Sequence, residues 1–309
     1  MKNITPKLRK ETKVIKIHTQ ELTDDYAWIK QANWQEVLKN PETLNPEVLN
    51  YLKDENKFTD SQLENQEALK ETIFKELKGR IKDKDSSVPT RDGDFSYFEE
   101  YTEASEYPCY KRTNLDHKTE IIFDTQKRSV GKKFFNMASI SHSHNHQYIA
   151  YNIDENGSEN YLLSIDDLKE GKIITKDIPN TTGNIVWDTN NQFIYYIGLN
   201  DKQRPNKIFQ HKVGENYKKD NLIFEEKDPA FFCSVSISQS KKYLLIRSAD
   251  HQTSEYYIKD LSKINSSIKL FSERVEKEEY EIDHREGYFY ILTNYNECKN
   301  FKIMIKTFK

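Results

Sequence analysis

The chain is poor in cysteine, in long apolar runs and in net charge, and each shortage removes a class of function. Three cysteines among 309 residues, Cys109, Cys233 and Cys298, are odd in number and show no C-x-x-C spacing. A thiolate zinc site or a vicinal redox pair is thereby excluded, and the three read as reduced thiols. No run of 18 apolar residues exists to span a bilayer as a helix. Residues 1–18 are basic and alternating rather than a charged start followed by an apolar stretch, so no secretory signal is expected and the cytoplasm is the expected location. Fifty acidic against 47 basic residues leave a net charge of −3. No global field then draws in nucleic acid or an anionic membrane, and neither is expected as a partner.

What the chain does have is aromatic side chains and a repeat. Phe and Tyr number 16 and 19, aromatics make up 12% of the residues, and this suits strands better than helices. Apolar runs at 148–151, 193–196, 243–246 and 288–291 each follow a polar turn, at intervals of 45 to 50 residues. A slightly offset copy at 95–98 precedes them. One four-stranded blade takes about 40–50 residues, so the period predicts a β-propeller. In the second copy the strands are expected at 137–142, 148–152, 160–165 and 172–178, with His144-Asn145-His146 as the first turn. The outer strands of the other copies are expected at 120–123, 221–225 and 268–272. The fifth copy has only three strands before Lys309, which predicts an open edge and a ring cut short at about five blades.

Residues 1–85 differ from the propeller segment 86–309. Pro46 opens a helical pattern, and Leu63, Leu69, Ile73, Phe74 and Leu77 recur mostly at three- and four-residue steps up to a breaker at Gly79. This stripe is expected to be a core or docking face. The expected fold is therefore all-β, an incomplete β-propeller preceded by an α-helical N-terminal segment.

Several short motifs, in order along the chain, resemble one family. They are Asp24-Asp25-Tyr26-Ala27-Trp28-Ile29, Tyr51-Leu52-Lys53-Asp54-Glu55-Asn56, Lys78-Gly79-Arg80-Ile81, Asp85-Ser86-Ser87-Val88-Pro89, Glu106-Tyr107-Pro108 and Thr253-Ser254-Glu255. The chain resembles the N-terminal part of the oligopeptidase B (protease II) branch of the prolyl oligopeptidase family of serine peptidases. That resemblance implies a seven-bladed propeller joined to an α/β-hydrolase domain on which the N-terminal helices pack, and cleavage of short peptides after Lys or Arg. The remaining blades and the hydrolase domain would lie beyond Lys309, making the chain a truncated or split product whose expected partner is a separate hydrolase-domain chain.

Chemistry is scarce within these residues. A hydrolase of this class needs a serine on a G-x-S-x-G elbow, and no such pentapeptide occurs among nine glycines. Gly157-Ser158 is read as a hairpin turn. His142, His144 and His146 alternate and could ligate a metal, but the other copies place polar turns at 188–190, 238–240 and 283–285, so a histidine-bearing surface turn is expected. Asp92, Asp94, Glu99, Glu100 and Glu103 could attract basic peptides, and the plainer expectation is a solvated face. No catalytic, cofactor-binding or metal-binding residue is assigned, and no cofactor is expected. The rival reading from another class is a stand-alone propeller that binds a partner protein; a third is a decaying gene product.

Overall fold

A computed structural model describes residues 5–103, 105–263 and 266–307. The chain divides into two compact units, Met1–Val130 and Gly131–Lys309. The first opens with a hairpin, β1 (Lys13–Ile17) and β2 (Gln20–Asp24), followed by α1 (Trp34–Lys39). The expected helices follow as α2 (Pro46–Leu63) and α3 (Glu67–Gly79). Asn45 starts α2 by accepting the Glu47 amide on its side chain, and Pro46 occupies the first turn, where no amide hydrogen is needed. A sheet of β3 (Asp85–Ser86), β4 (Thr90–Asp92), β5 (Phe95–Tyr101), β6 (Cys109–Asn114) and β7 (Thr119–Asp124) completes the unit, with α4 (Thr125–Ser129) after it. Both β3 and β4 pair with β5, so the polar stretch before Pro89 contributes a short strand instead of acting only as a linker.

The second unit is built of antiparallel sheets in chain order. β8 (Asn136–His142), β9 (Tyr148–Asp154), β10 (Tyr161–Asp167), β11 (Lys172–Trp187), β12 (Phe193–Leu199), β13 (Pro205–Lys212) and β14 (Asn221–Glu225) form one seven-stranded sheet. Next come β15 (Phe232–Ile237), β16 (Tyr243–Ala249), β17 (Ser254–Asp260) and β18 (Lys269–Ser272), then β19 (Tyr280–Arg285), β20 (Tyr288–Thr293) and β21 (Lys302–Lys306). The strand expected at 172–178 does not end there. β11 runs on for 16 residues, pairing first with β10 (Ile165↔Thr175) and then with β12 (Ile185↔Tyr196). It is the last strand of one repeat and the first of the next. Positive φ values at Asp177, Asn180 and Gly183 bend the strand while its pairing continues. At Gly183 a Cβ would also come within 2.8 Å of Ile197 Cδ1.

The repeats share their turn chemistry. Ser143, Asp188 and Ser238 are buried at the end of the first strand, and each side-chain oxygen accepts the amide of the aromatic residue that opens the second strand, Tyr148, Phe193 or Tyr243, at 2.8–3.0 Å. The third strand closes on the same turn, where Leu168, Val213 and Leu261 donate their amides to the carbonyls of Gln147, Gln192 and Lys242. The fifth copy departs from this plan. Residues 283–285 belong to β19, and the turn contracts to Glu286-Gly287 with φ values of 51° and 85°, a two-residue hairpin that needs both residues left-handed.

Among the described residues, three cores lie between consecutive repeats. Ala150, Leu163, Ile165 and Ile178 pack against Ile185, Trp187, Ile194 and Tyr196. Val186, Tyr195, Ile197 and Ile208 pack against Cys233, Val235, Leu244 and Ile246. Leu245, Tyr256, Ile258 and Phe271 pack against Tyr280, Ile282 and Phe289. Successive residues of β12 thus face different cores, which is why its run is apolar without alternation.

Close packing should be felt at Gly198, where an added Cβ would lie 2.5 Å from the Phe209 ring. Gly198→Ala is expected to lower stability by about 1–3 kcal/mol in urea unfolding. Gly79→Ala, at a helix end with nothing within 4 Å, should not.

Candidate functional site

Each sequence candidate has a definite place. Gly157 (φ 76°) and Ser158 sit in the β9–β10 hairpin, where Asp154 accepts the amides of Asn156, Gly157 and Glu159 at 2.7–3.1 Å. Ser158 accepts the Asn160 amide, so the pair builds a turn. His142 ends β8 and stacks on His146 at 5.6 Å between ring centroids. His144 and His146 lie in the turn whose architecture recurs at Asp188 and Ser238, where no histidine stands, so the turn itself does not require the imidazoles. Among the acidic residues, Glu100 pairs with Lys111 across the β5–β6 ladder and Glu103 pairs with Lys84 at 3.4 Å. Burial and the Glu99 carboxylate push the Tyr110 phenol up to about 12. The carboxylates are thus partly matched on their own sheet. Burial raises the Cys109 thiol and pushes that of Cys233 up to about 12, so neither is a nucleophile at neutral pH.

The geometry nearest to a hydrolytic relay is internal. His211 Nδ1 lies 2.7 Å from Asp220 Oδ1, and its Nε2 lies 3.1 Å from the Thr175 hydroxyl. The Gly214 amide donates to Thr175 Oγ1, and the Tyr196 phenol donates to the second Asp220 oxygen at 2.9 Å. His211 is fully buried and Thr175 nearly so, which leaves no approach for a substrate carbonyl. The network instead fastens β11, β12 and β13 to the segment before β14.

A second buried network gives Thr253-Ser254-Glu255 its role, which the motif alone does not reveal. The Arg274 guanidinium bonds Glu226 at 2.5 Å and Glu255 at 3.1 Å and lies 3.7 Å from the centroid of the Phe231 ring. Ser248 donates to Glu226 at 2.5 Å. Thr253 accepts the Lys277 amide, and Ser254 both accepts the Tyr280 amide and donates to the Tyr280 carbonyl. All three residues therefore bind the crossover from β18 to β19. The partners stand 19 to 48 positions apart in sequence, so no local pattern announces them.

Among the described residues, apolar surfaces are exposed in both units. Leu63, Leu69, Ile73, Phe74 and Leu77 are all at least 47% exposed and line a groove of about 480 Å³ along α2 and α3. The expected stripe is therefore a face open to docking and no core. On the last sheet, register sets Tyr290 beside Ile305 and Leu292 beside Ile303, and all four are exposed along the edge strand β21. Among the described residues no helix is long and apolar enough to cross a membrane.

Comparison with known proteins assigns this architecture. A family model described as the prolyl oligopeptidase N-terminal β-propeller domain matches residues 6–309. Protease 2 of Moraxella lacunata is 27% identical over 297 residues, 93% of this chain and 41% of that protein. Dipeptidyl aminopeptidase BI of Pseudoxanthomonas mexicana is 24% identical over 97% of this chain and 43% of its own length. Among solved structures, oligopeptidase B from Leishmania major superposes with a TM-score of 0.88 at 21% identity, and oligopeptidase B from Trypanosoma brucei, in a closed form with covalently bound antipain, with 0.86 at 23%. These structures cover 99% and 98% of this chain and show its fold; the chain covers 44% of each. The chain thus spans about two-fifths of the length of the relatives it matches.

Arg274→Met should leave two buried carboxylates without their cation and cost about 3–5 kcal/mol in urea unfolding. Burial opposes ionisation of Glu226, but hydrogen bonds from Ser248, the Asp228 amide and Arg274 outweigh it and hold the carboxyl below its ordinary value. Its contribution is present above the unfolded pKa of about 4.3 and is lost as pH falls through the lower folded value. Unfolding measured between pH 6 and 3 should show an acid loss that Glu226→Gln reduces.

Proposed function

Because the chain belongs to the prolyl oligopeptidase family through its N-terminal β-propeller domain, we propose that it is the propeller part of an oligopeptidase B-like serine endopeptidase. The propeller caps a hydrolase domain that cleaves short, flexible peptides after Lys or Arg and keeps folded proteins out by size. Residues 1–85 form the segment that docks on the hydrolase domain, and residues 86–309 are the propeller segment. The hydrolase domain is supplied downstream on the same polypeptide or by a companion chain, and the enzyme works in the cytoplasm.

The single observation that carries this reading is the extent of the match: residues 6–309 fit the N-terminal propeller of a peptidase family, while the matched relatives continue well beyond it. Two features support it. The apolar stripe on α2 and α3 lies exposed, as a surface awaiting a partner domain would. The outer face of β20 and β21 is likewise apolar and open, as it would be where a further blade is to pack.

The test combines the purified chain with its hydrolase domain and assays short fluorogenic peptides. Hydrolysis after Arg and Lys by the combination, and none by the chain alone, is expected. Leu69→Asp with Phe74→Asp should abolish assembly without changing the unfolding of the β-sheet units. A chain that is monodisperse, melts cooperatively and ignores the hydrolase domain would instead favour the stand-alone interaction module.

A further inference from the structure

The inner part of the β15–β18 sheet contains a cation with no counterpart. Arg247 on β16 stands between Ser234 on β15 and Tyr256 on β17 in the strand register. It shares a face with Leu245, two residues away, whose side chain packs toward β19 and β20. Arg247 is half-buried, and its Nε is shut off from water without a hydrogen-bond partner. Among the described residues no ion pair or hydrogen bond reaches its guanidinium, although the Tyr256 phenol feels its charge. Glu281 influences the same phenol, but it shares the exposed face of β19 with Leu292's register position, away from the packed face that holds Ile282.

The preceding repeats show how this position is otherwise filled. Asn152 occupies it on β9, opposite Ser139, just as Arg247 stands opposite Ser234. Its amide nitrogen donates to Ser139 at 3.2 Å and to the Gly183 carbonyl at 2.9 Å, and its oxygen accepts from Thr181 at 3.1 Å. Ser139 spends its own proton on the Gly183 carbonyl. The third repeat places Ile197 there, in an apolar core. One repeat satisfies a polar group internally and another avoids one. The fourth holds a fixed positive charge beside an exposed serine hydroxyl, and leaving such a donor unmet costs free energy that a bound anion would return.

From this contrast we infer that Arg247 and Ser234 form an anion subsite for a single carboxylate, the free C-terminal carboxylate of a short peptide. The edge of a guanidinium formed by Nε and one Nη presents two parallel donors, which match the two oxygens of a carboxylate. To present that edge the half-buried side chain must rotate its Nε toward exposed Ser234, its partner in the strand register, whose hydroxyl donates a third bond. One cation with one hydroxyl balances a monoanion; a phosphate dianion would leave a charge unmatched in a chain that is already net negative. The inference deepens the peptidase reading and rests on it for the identity of the ligand as a peptide.

Binding is measured on the 309-residue chain itself, without catalysis, so its failure leaves the cleavage assay undecided and the reverse also holds. The arginine Nε–Hε signals of the labelled chain are followed by NMR, with that of Arg247 assigned by Arg247→Lys, while N-acetyl-glycyl-glycine, its C-terminal amide or inorganic phosphate is added at constant ionic strength. A saturable shift with the free acid, none with the amide, binding at least about ten-fold weaker with phosphate, and several-fold weakening by Ser234→Ala are expected. Ser234 is exposed, so that variant tests the site even if Arg247→Lys fails to fold. An equal response to the amide, no saturable response to the acid, or tighter binding of phosphate would overturn the carboxylate subsite.

Discussion

A sheet with two apolar faces cannot stand alone in water, and most of this architecture follows from that constraint. β12 and β16 send successive side chains into different cores, so each repeat is one wall of two hydrophobic layers. Stability then belongs in large part to the interfaces between repeats, and within the seven-stranded sheet adjacent strands also pack closely. Gly183 and Gly198 stand where any side chain would strike the neighbouring strand or ring. The same logic explains the open surfaces. On β20 and β21, Tyr290, Leu292, Ile303 and Ile305 are apolar and exposed.

Polar groups hold what the apolar layers leave undetermined. The turn oxygens of Ser143, Asp188 and Ser238 fix where each second strand begins. The two buried networks fix how chain segments cross: His211 joins Thr175 to Asp220, and Arg274 joins Glu226 to Glu255. Both resemble catalytic constellations in composition, and burial is what separates them from one. A histidine between a hydroxyl and a carboxylate is a relay only when something can reach the hydroxyl.

The repeat, the helix start at Pro46, the breaker at Gly79 and the outer strands at 120–123, 221–225 and 268–272 were legible in the sequence because each rests on local chemistry of period, cap or turn. The continuity of β11 was not, since left-handed residues at Asp177, Asn180 and Gly183 read as a chain break when they only bend a strand. Residues 283–285 read as a turn because all three are polar, yet they alternate along β19, Asp283 and Arg285 exposed and His284 buried. The clasp around Arg274 and the isolation of Arg247 were invisible for a different reason. Both depend on strands far apart in sequence, and on which partners are missing as much as on which are present.

The shared strand β11 has a mechanical consequence. Two repeats joined through one hydrogen-bonded ladder deform as a single plate, whereas the strand ladder breaks at the β14–β15 and β18–β19 crossovers, where side-chain contacts and isolated backbone bonds such as Ser240 N–H to the His284 carbonyl bridge the sheets. Compliance in the second unit is therefore concentrated at two seams. The Arg274 clasp sits on both: Arg274 lies on the β18–β19 crossover, its backbone amide held by Glu255 on β17, and its guanidinium reaches Glu226 on the β14–β15 crossover, so one residue ties the two seams together.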